Sequence, residues 1–218
     1  MKKIGILFLM FIFTTISFSQ NSEEAKNLLD EVSLKMSAYN NMTINFSQTL
    51  SNEDAGIMAG DEPAIRGKIA LQGEKYNLNY LGNQFIFDGK KLYVINNDEK
   101  EITINDGDMS GDDGFIYPSK LLTFYKEGYT FSMGNLTNVN GRKIQFVTLN
   151  PINSNSDIVK VELAIDAKTK HIYKLLQTGS NGSKTTFTIN EFKSNQQLPQ
   201  NFFFFDQEKF KKLNFTID

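Results

Sequence analysis

The chain has 218 residues, 40% of them hydrophobic and 22% charged, with a formal net charge of −2. That length suits one mainly-β domain with a core large enough to need neither disulfides nor metals. The absence of cysteine excludes disulfides, thiol nucleophiles and zinc–thiolate sites. The single histidine, His171, excludes a multi-imidazole metal site, and the near-neutral charge argues against a nucleic-acid partner. What remains is an aromatic-rich composition, 19 Phe and 8 Tyr without a Trp, in a chain with little catalytic vocabulary.

Residues 1–19 read as a cleaved signal peptide. Lys2 and Lys3 precede an apolar run from Ile4 to Ile16, and Ser17 and Ser19 supply the small residues before a cut at Gln20. The run is too short for the ~30 Å hydrocarbon core, so residues 20–218 are expected as an exported, soluble domain.

Ser22 to Ala38 predicts a helix, with Ser22 as N-cap, Glu23 and Glu24 in its first turn, and Ala25, Leu28, Leu29, Val32, Leu34 and Met36 as an apolar stripe. The period then changes to two. Ile44, Phe46, Gln48 and Leu50 alternate with polar residues; after a loop over 52–63 the alternation continues through Ile65–Leu71 and Tyr76–Tyr80. Gly82-Asn83, Asp88-Gly89 and Asn96-Asn97-Asp98 mark tight turns between Phe85–Phe87, Leu92–Ile95 and Glu101–Ile104. An acidic loop over 106–114 and a short apolar helix over 118–126 interrupt the pattern. Alternation resumes at Tyr129-Phe131-Met133, Ile144-Phe146-Thr148 and Val159–Ile165. A hairpin turn at 166–170 then leads to Ile172–Thr178 and Thr185–Phe192. The fold class expected is mainly β (α+β): one antiparallel sheet of roughly ten strands with two or three helices.

Few residues offer chemistry. A Ser-His-Asp hydrolase would have to use His171, which sits beside the hairpin turn on an expected solvent-exposed corner, and no nucleophile elbow is present. Asp106, Asp108, Ser110 and Gly111 fit the first half of a calcium loop, but the twelfth position, which should hold a bidentate Glu, is Tyr117. A weak calcium site and a solvated turn loop are the two readings. No Gly-rich phosphate loop and no distinguished carboxylate pair occur. The Phe and Tyr at alternating strand positions remain, either as an ordinary core or as the lining of an apolar cavity that the 118–126 helix covers.

The order of elements resembles the LolA family of periplasmic lipoprotein carriers over nearly all of residues 22–218. The resemblance rests on Phe46-Ser47-Gln48, Gly67 and Ile69, the hairpin Asp88-Gly89-Lys90 with Leu92 and Tyr93, and the Pro118…Leu121-Leu122 helix. The segments 118–123, Ile165-Asp166 with Thr169, and Leu198-Pro199 with Phe202 are similar to the branch found in Bacteroidetes-type bacteria. The resemblance implies a half-open antiparallel β-barrel with short helices as a lid over an apolar cavity. It implies a non-enzymatic monomer of the periplasm, with no cofactor. Such a carrier takes acylated lipoproteins from an inner-membrane ABC-type exporter to an outer-membrane acceptor. The implied cavity residues are Phe46, Leu50, Ile69, Leu71, Tyr76, Leu78, Tyr80, Phe131, Phe146, Leu163 and Phe187, with Tyr93 among the Tyr that stand for the family's Trp. The implied lid residues are Leu121, Leu122, Phe124 and Tyr125. Where proteobacterial members carry a lid-closing Arg and a Pro, this chain has Gln72-Gly73-Glu74-Lys75. The alternatives are a carrier of another acylated lipid or pigment precursor, a non-hydrolytic enzyme on the same fold, and a structural surface protein.

Overall fold

The computed structural model describes residues 21–108, 120 and 123–218. The expected signal peptide, most of the acidic loop, and Leu121 and Leu122 of the expected lid therefore lie outside the described residues. Helix α1 is described from 21 to 37. It buries Ala25, Leu28, Leu29, Val32 and Met36, a stripe at 3–4 spacing, and each such Leu, Val or Met adds roughly 1.5–3 kcal/mol of apolar burial. Two details differ from expectation. Ser22 is already inside the helix, and Leu34, which falls off the stripe's angular position, is 76% exposed.

The strands are β1 (Met42–Ser51), β2 (Ile65–Gln72), β3 (Lys75–Tyr80), β4 (Asn83–Phe87), β5 (Lys91–Asn96), β6 (Glu101–Asp106), β7 (Tyr129–Val139), β8 (Arg142–Pro151), β9 (Ile158–Asp166), β10 (Ile172–Gly179), β11 (Lys184–Ser194) and β12 (Thr216–Ile217). A short helix α2 (Gln207–Lys212) precedes β12, and Phe124–Lys126 forms a single 3-10 turn. All twelve strands belong to one sheet, in the order β12-β6-β5-β4-β3-β2-β1-β11-β10-β9-β8-β7. Every pairing is antiparallel except β12 with β6. The sheet curves without closing, since β7 and β12 are its two edges.

Turn chemistry makes the meander. The Asp88 carboxylate accepts the backbone N–H groups of Lys90 and Lys91, both at 2.8 Å, and Gly89 takes φ 96°. Burial tends to raise the Asp88 pKa, but the two N–H donors outweigh it and hold it below the usual carboxylate range. The 166–170 turn is built alike: Asp166 accepts from Lys168 and Thr169, each at 2.9 Å.

Two apolar layers flank the sheet. Helix α1 lies over the concave face, where its stripe joins Met42, Ile44, Ile69, Leu71, Tyr76, Leu78, Leu163 and Leu175 in one cluster. The C-terminal segment covers the opposite face of β4, β5 and β6. There Phe205 stacks on Tyr93 with ring centroids 4.4 Å apart and on Phe210 at 5.4 Å, closing a second cluster with Ile86, Ile95 and Ile102. Asp206 caps α2 by accepting from the Lys209 N–H at 3.0 Å.

Candidate functional site: the concave face and its cover

Strand alternation decides what reaches the concave face. On β1 the inward set is Met42, Ile44, Phe46 and Gln48, opposite Leu71, Ile69, Gly67 and Ile65 of β2. A bulge between Asn45 and Phe46 resets the register with β11, so Phe46 faces Ile189 and Gln48 faces Phe187. The Phe46 ring lies directly over Gly67, occupying the space where any Cβ would project. Thus Phe46 of one motif and Gly67 of the other form a single contact. The ring is further bracketed by Tyr80 at 5.7 Å and Phe187 at 6.0 Å between centroids.

The cover is helical and held to the sheet by side chains. Tyr125, 3% exposed, donates its hydroxyl to Asp30 Oδ1 of α1 at 2.9 Å. Phe124 meets Tyr129 edge-on at 5.8 Å, and Tyr125 meets Phe131 at 6.4 Å. Beyond the C-terminal end of α1 the Tyr39 hydroxyl and His171 Nε2 are 2.8 Å apart, and the His171 ring packs on Phe192 at 4.2 Å. Lys170 pairs with Glu31 at 2.6 Å. Near the start of α1, the Met133 N–H of edge strand β7 donates to Asn21 Oδ1 at 2.7 Å. A crevice of ≈ 10 Å³, room for about one water, is left between Leu29, Val32, Phe124, Tyr125, Leu163 and Ile172.

Burial sets the titration of Tyr125, Tyr76 and His171. It pushes the Tyr125 phenol up to about 12, with the bond to Asp30 adding and Ser33 opposing. Tyr76 is pushed further the same way by burial and by its 2.6 Å bond to Asp108. The Asp30 carboxyl is held below its ordinary value, chiefly by its hydrogen bond from Lys26, against burial and with help from Tyr125. Burial and Lys35 lower His171, against Asp166. The tyrosines are therefore neutral donors throughout the physiological range, and the face they line is apolar. What such an arrangement does chemically is bury hydrocarbon.

Of the expected cavity residues, Phe46, Ile69, Leu71, Tyr76, Leu78, Tyr80, Phe131, Leu163 and Phe187 come together in the cluster under α1. Leu50 is on the same face but 50% exposed, at the rim. Phe146 is a correction: its β8 neighbours Val147 and Leu149 pair with Leu163 and Phe131 on the concave face, which turns Phe146 to the other side. Tyr93 is likewise on the convex face, under Phe205. Of the lid, Phe124 and Tyr125 sit in the cover. His171 is also a correction, because its ring is half-buried between Tyr39 and Phe192 instead of standing in solvent. For the calcium loop, Asp106 lies 3.3 Å from the Lys91 ammonium and Asp108 accepts from Tyr76, while Ser110 is outside the described residues. Among the described residues no group of three or more His, Asp or Glu is assembled to hold a metal.

Sequence reasoning does not assign Leu29, Val32 and Met36 of α1 to the site, although their stripe is visible in it. Also outside the expected set are Phe85 and Val94, Ile189, which shares the period of Phe187, and Phe192, which the bulge opposite Asn45 and Phe46 brings to the same face.

The family model described as "Outer membrane lipoprotein carrier protein LolA" matches residues 37–206. No curated protein matches the sequence. Among solved structures, an uncharacterized conserved protein from Thermus thermophilus is similar over 89% of this chain and 98% of its own, with TM-score 0.60 and 8% identity. A DUF1329 family protein from Desulfovibrio piger is similar over 87% of this chain and 99% of its own, with TM-score 0.50 and 8% identity. A putative outer membrane lipoprotein-sorting protein domain from Vibrio parahaemolyticus matches over 88% and 100%, with TM-score 0.48 and 13% identity. At these identities the likeness to the Thermus and Desulfovibrio proteins speaks for the curved, unclosed sheet alone.

Proposed function

This chain belongs to the LolA family of outer membrane lipoprotein carrier proteins, and from that premise we propose that it carries acylated lipoproteins across the periplasm by burying their acyl chains on its concave face. The observation that supports this most is the make-up of the cover. Helix α1 and the Phe124-Tyr125 turn shield a broad apolar face, joined to each other by Tyr125–Asp30 and tied to the sheet by isolated side-chain bonds, Asn21–Met133, Tyr39–His171 and Lys170–Glu31, and among the described residues by no strand pairing.

The energetics suit a carrier. Each buried CH₂ contributes about 0.8 kcal/mol, so the chains of a lipoprotein anchor offer gross burial of tens of kcal/mol. Much of that is offset because the cover must first leave the same apolar surface, so net binding stays reversible. In this reading the chain performs no catalysis. It is exported by its N-terminal segment, receives cargo from an inner-membrane ABC-type exporter, acts as a monomer, and releases cargo to an outer-membrane acceptor.

Native mass spectrometry of the protein mixed with purified acylated lipoproteins tests this. A one-to-one complex that vanishes when the cargo is delipidated is expected. Binding of free lipids with no lipoprotein complex would replace this reading by that of a carrier for another acylated molecule.

A further inference from the structure

The Phe46-Ser47-Gln48 motif contains one polar residue on the apolar side of the sheet. Gln48 follows Phe46 by two residues, and its register partners are Phe187 on β11 and Ile65 on β2, so its side chain shares their concave face. It stands between the aromatic group Phe46, Tyr80 and Phe187 and the half-exposed rim residue Leu50. Its carboxamide oxygen is buried and has no hydrogen-bond partner among the described residues. Most buried polar atoms in folded proteins are paired, so an orphan acceptor in an otherwise apolar site requires an explanation.

The neighbouring row supports a functional one. Across β11 from Leu50 lies Thr185, and across β10 from Thr185 lies Gln177, which is buried and has a partner of its own. The inward surface is thus graded from the rim down. Leu50, Thr185 and Gln177 share one row at the rim, Gln48 stands one row further in, level with Phe187, and Phe46 with the aliphatic floor lies below. That order matches an acyl chain entering tail first, with its polar linkage level with Gln48.

We propose that Gln48 is a specificity-determining residue whose carboxamide oxygen accepts a hydrogen bond from the N–H of an amide-linked acyl chain. This rests on the carrier reading above and adds a chemical preference to it. An amide presents an N–H donor at the junction of tail and head; an ester of identical shape presents only oxygen lone pairs, leaving Gln48 Oε1 unpaired in the complex. Specificity of this kind comes from the cost of leaving the buried acceptor unsatisfied against the wrong ligand.

The test uses two probes, N-tetradecanoylglycine methyl ester and its analogue with the acyl N–H replaced by oxygen, titrated calorimetrically into the purified protein. The expected result is about 5-fold tighter binding of the amide, the ratio one neutral hydrogen bond supplies. That ratio falls to about 1 in Gln48→Met, which keeps length and apolar contact, and persists in Gln48→Glu, which keeps an acceptor oxygen. Equal binding of both probes by the unmodified protein, or an undiminished ratio in Gln48→Met, overturns the assignment of Gln48 while leaving the carrier reading standing. If neither probe binds, the carrier reading falls with it. Should Gln48→Met not fold, the unmodified protein's ratio and the Gln48→Glu result decide alone.

Discussion

Removing the hydroxyl of Tyr125 isolates what the cover's latch contributes. Tyr125→Phe keeps the buried ring and its edge contacts with Phe124 and Phe131, and deletes the hydrogen bond from the phenol to Asp30 Oδ1 at 2.9 Å along with the hydroxyl's interaction with Ser33. Hydrogen bonds to charged groups contribute about 1.5–3 kcal/mol when shielded, but the Asp30 side chain is 44% exposed and shared with Lys26 at 2.7 Å. Solvent screening brings the expected loss to about 1 kcal/mol. If the Phe124-Tyr125 turn must part from α1 before an acyl chain enters, that loss raises the open population, and with it the apparent affinity, by about 5-fold. The melting temperature should fall by about 2–4 °C. The bond needs an ionised Asp30, whose folded pKa is depressed. Its contribution is therefore complete above the unfolded carboxylate value and is lost as pH falls through the lower folded value. Calorimetric titration with a fatty-acyl probe, alongside a thermal melt, reads both effects. A lowered melting temperature with unchanged or weaker acyl binding would refute the reasoning, since it would mean that binding does not require the cover to open.

Three further outcomes follow from particular contacts. Gly67→Ala places a methyl where the Phe46 ring lies and should destabilise the fold by about 1–3 kcal/mol; an unchanged melting temperature would contradict the contact. Phe205→Ala breaks the Tyr93–Phe205–Phe210 stack on the convex face, at about 3–5 kcal/mol, while acyl affinity measured below the melt stays as it was. Loss of binding in that variant would show that the two faces are not independent. His171, with a folded pKa depressed by burial, binds its proton more readily in the unfolded chain. Stability should therefore decline as pH falls from about 7 through the usual histidine range near 6.5, and less steeply in His171→Gln, as thermal melts across pH will read.

The parts of this fold that local chemistry determines are readable in the sequence. The α1 stripe, the two-residue period of β1 through β6 and the Asp-led turns at 88 and 166 each arise from neighbours along the chain. Phe146 misleads for an identifiable reason. On β8 both faces carry apolar residues, Ile144 and Phe146 on one, Val147 and Leu149 on the other, so alternation alone cannot say which set is inward. Only the pairing with β7 and β9 decides it. The same ambiguity hides the convex cluster, because Phe202 to Phe205 form a run without period whose partners on β4 to β6 are far away in sequence. Tyr125 with Asp30 and His171 with Tyr39 are likewise contacts across 95 and 132 residues. Nothing near either residue announces them. The surplus of phenylalanine thus divides between two faces, one covered by the chain's own C-terminus and one by helix α1 and the Phe124-Tyr125 turn.

The claim that acyl chains are buried on the concave face under α1 has a direct test, since the chain contains no Trp and a single introduced indole reports alone. Phe187→Trp places it on the concave face beside Phe46, and Tyr93→Trp places it on the convex face under Phe205. Titration with a fatty acid carrying a spin label on its chain should quench the indole of Phe187→Trp and leave that of Tyr93→Trp unchanged. Equal quenching of both, or quenching of Tyr93→Trp alone, would contradict the account.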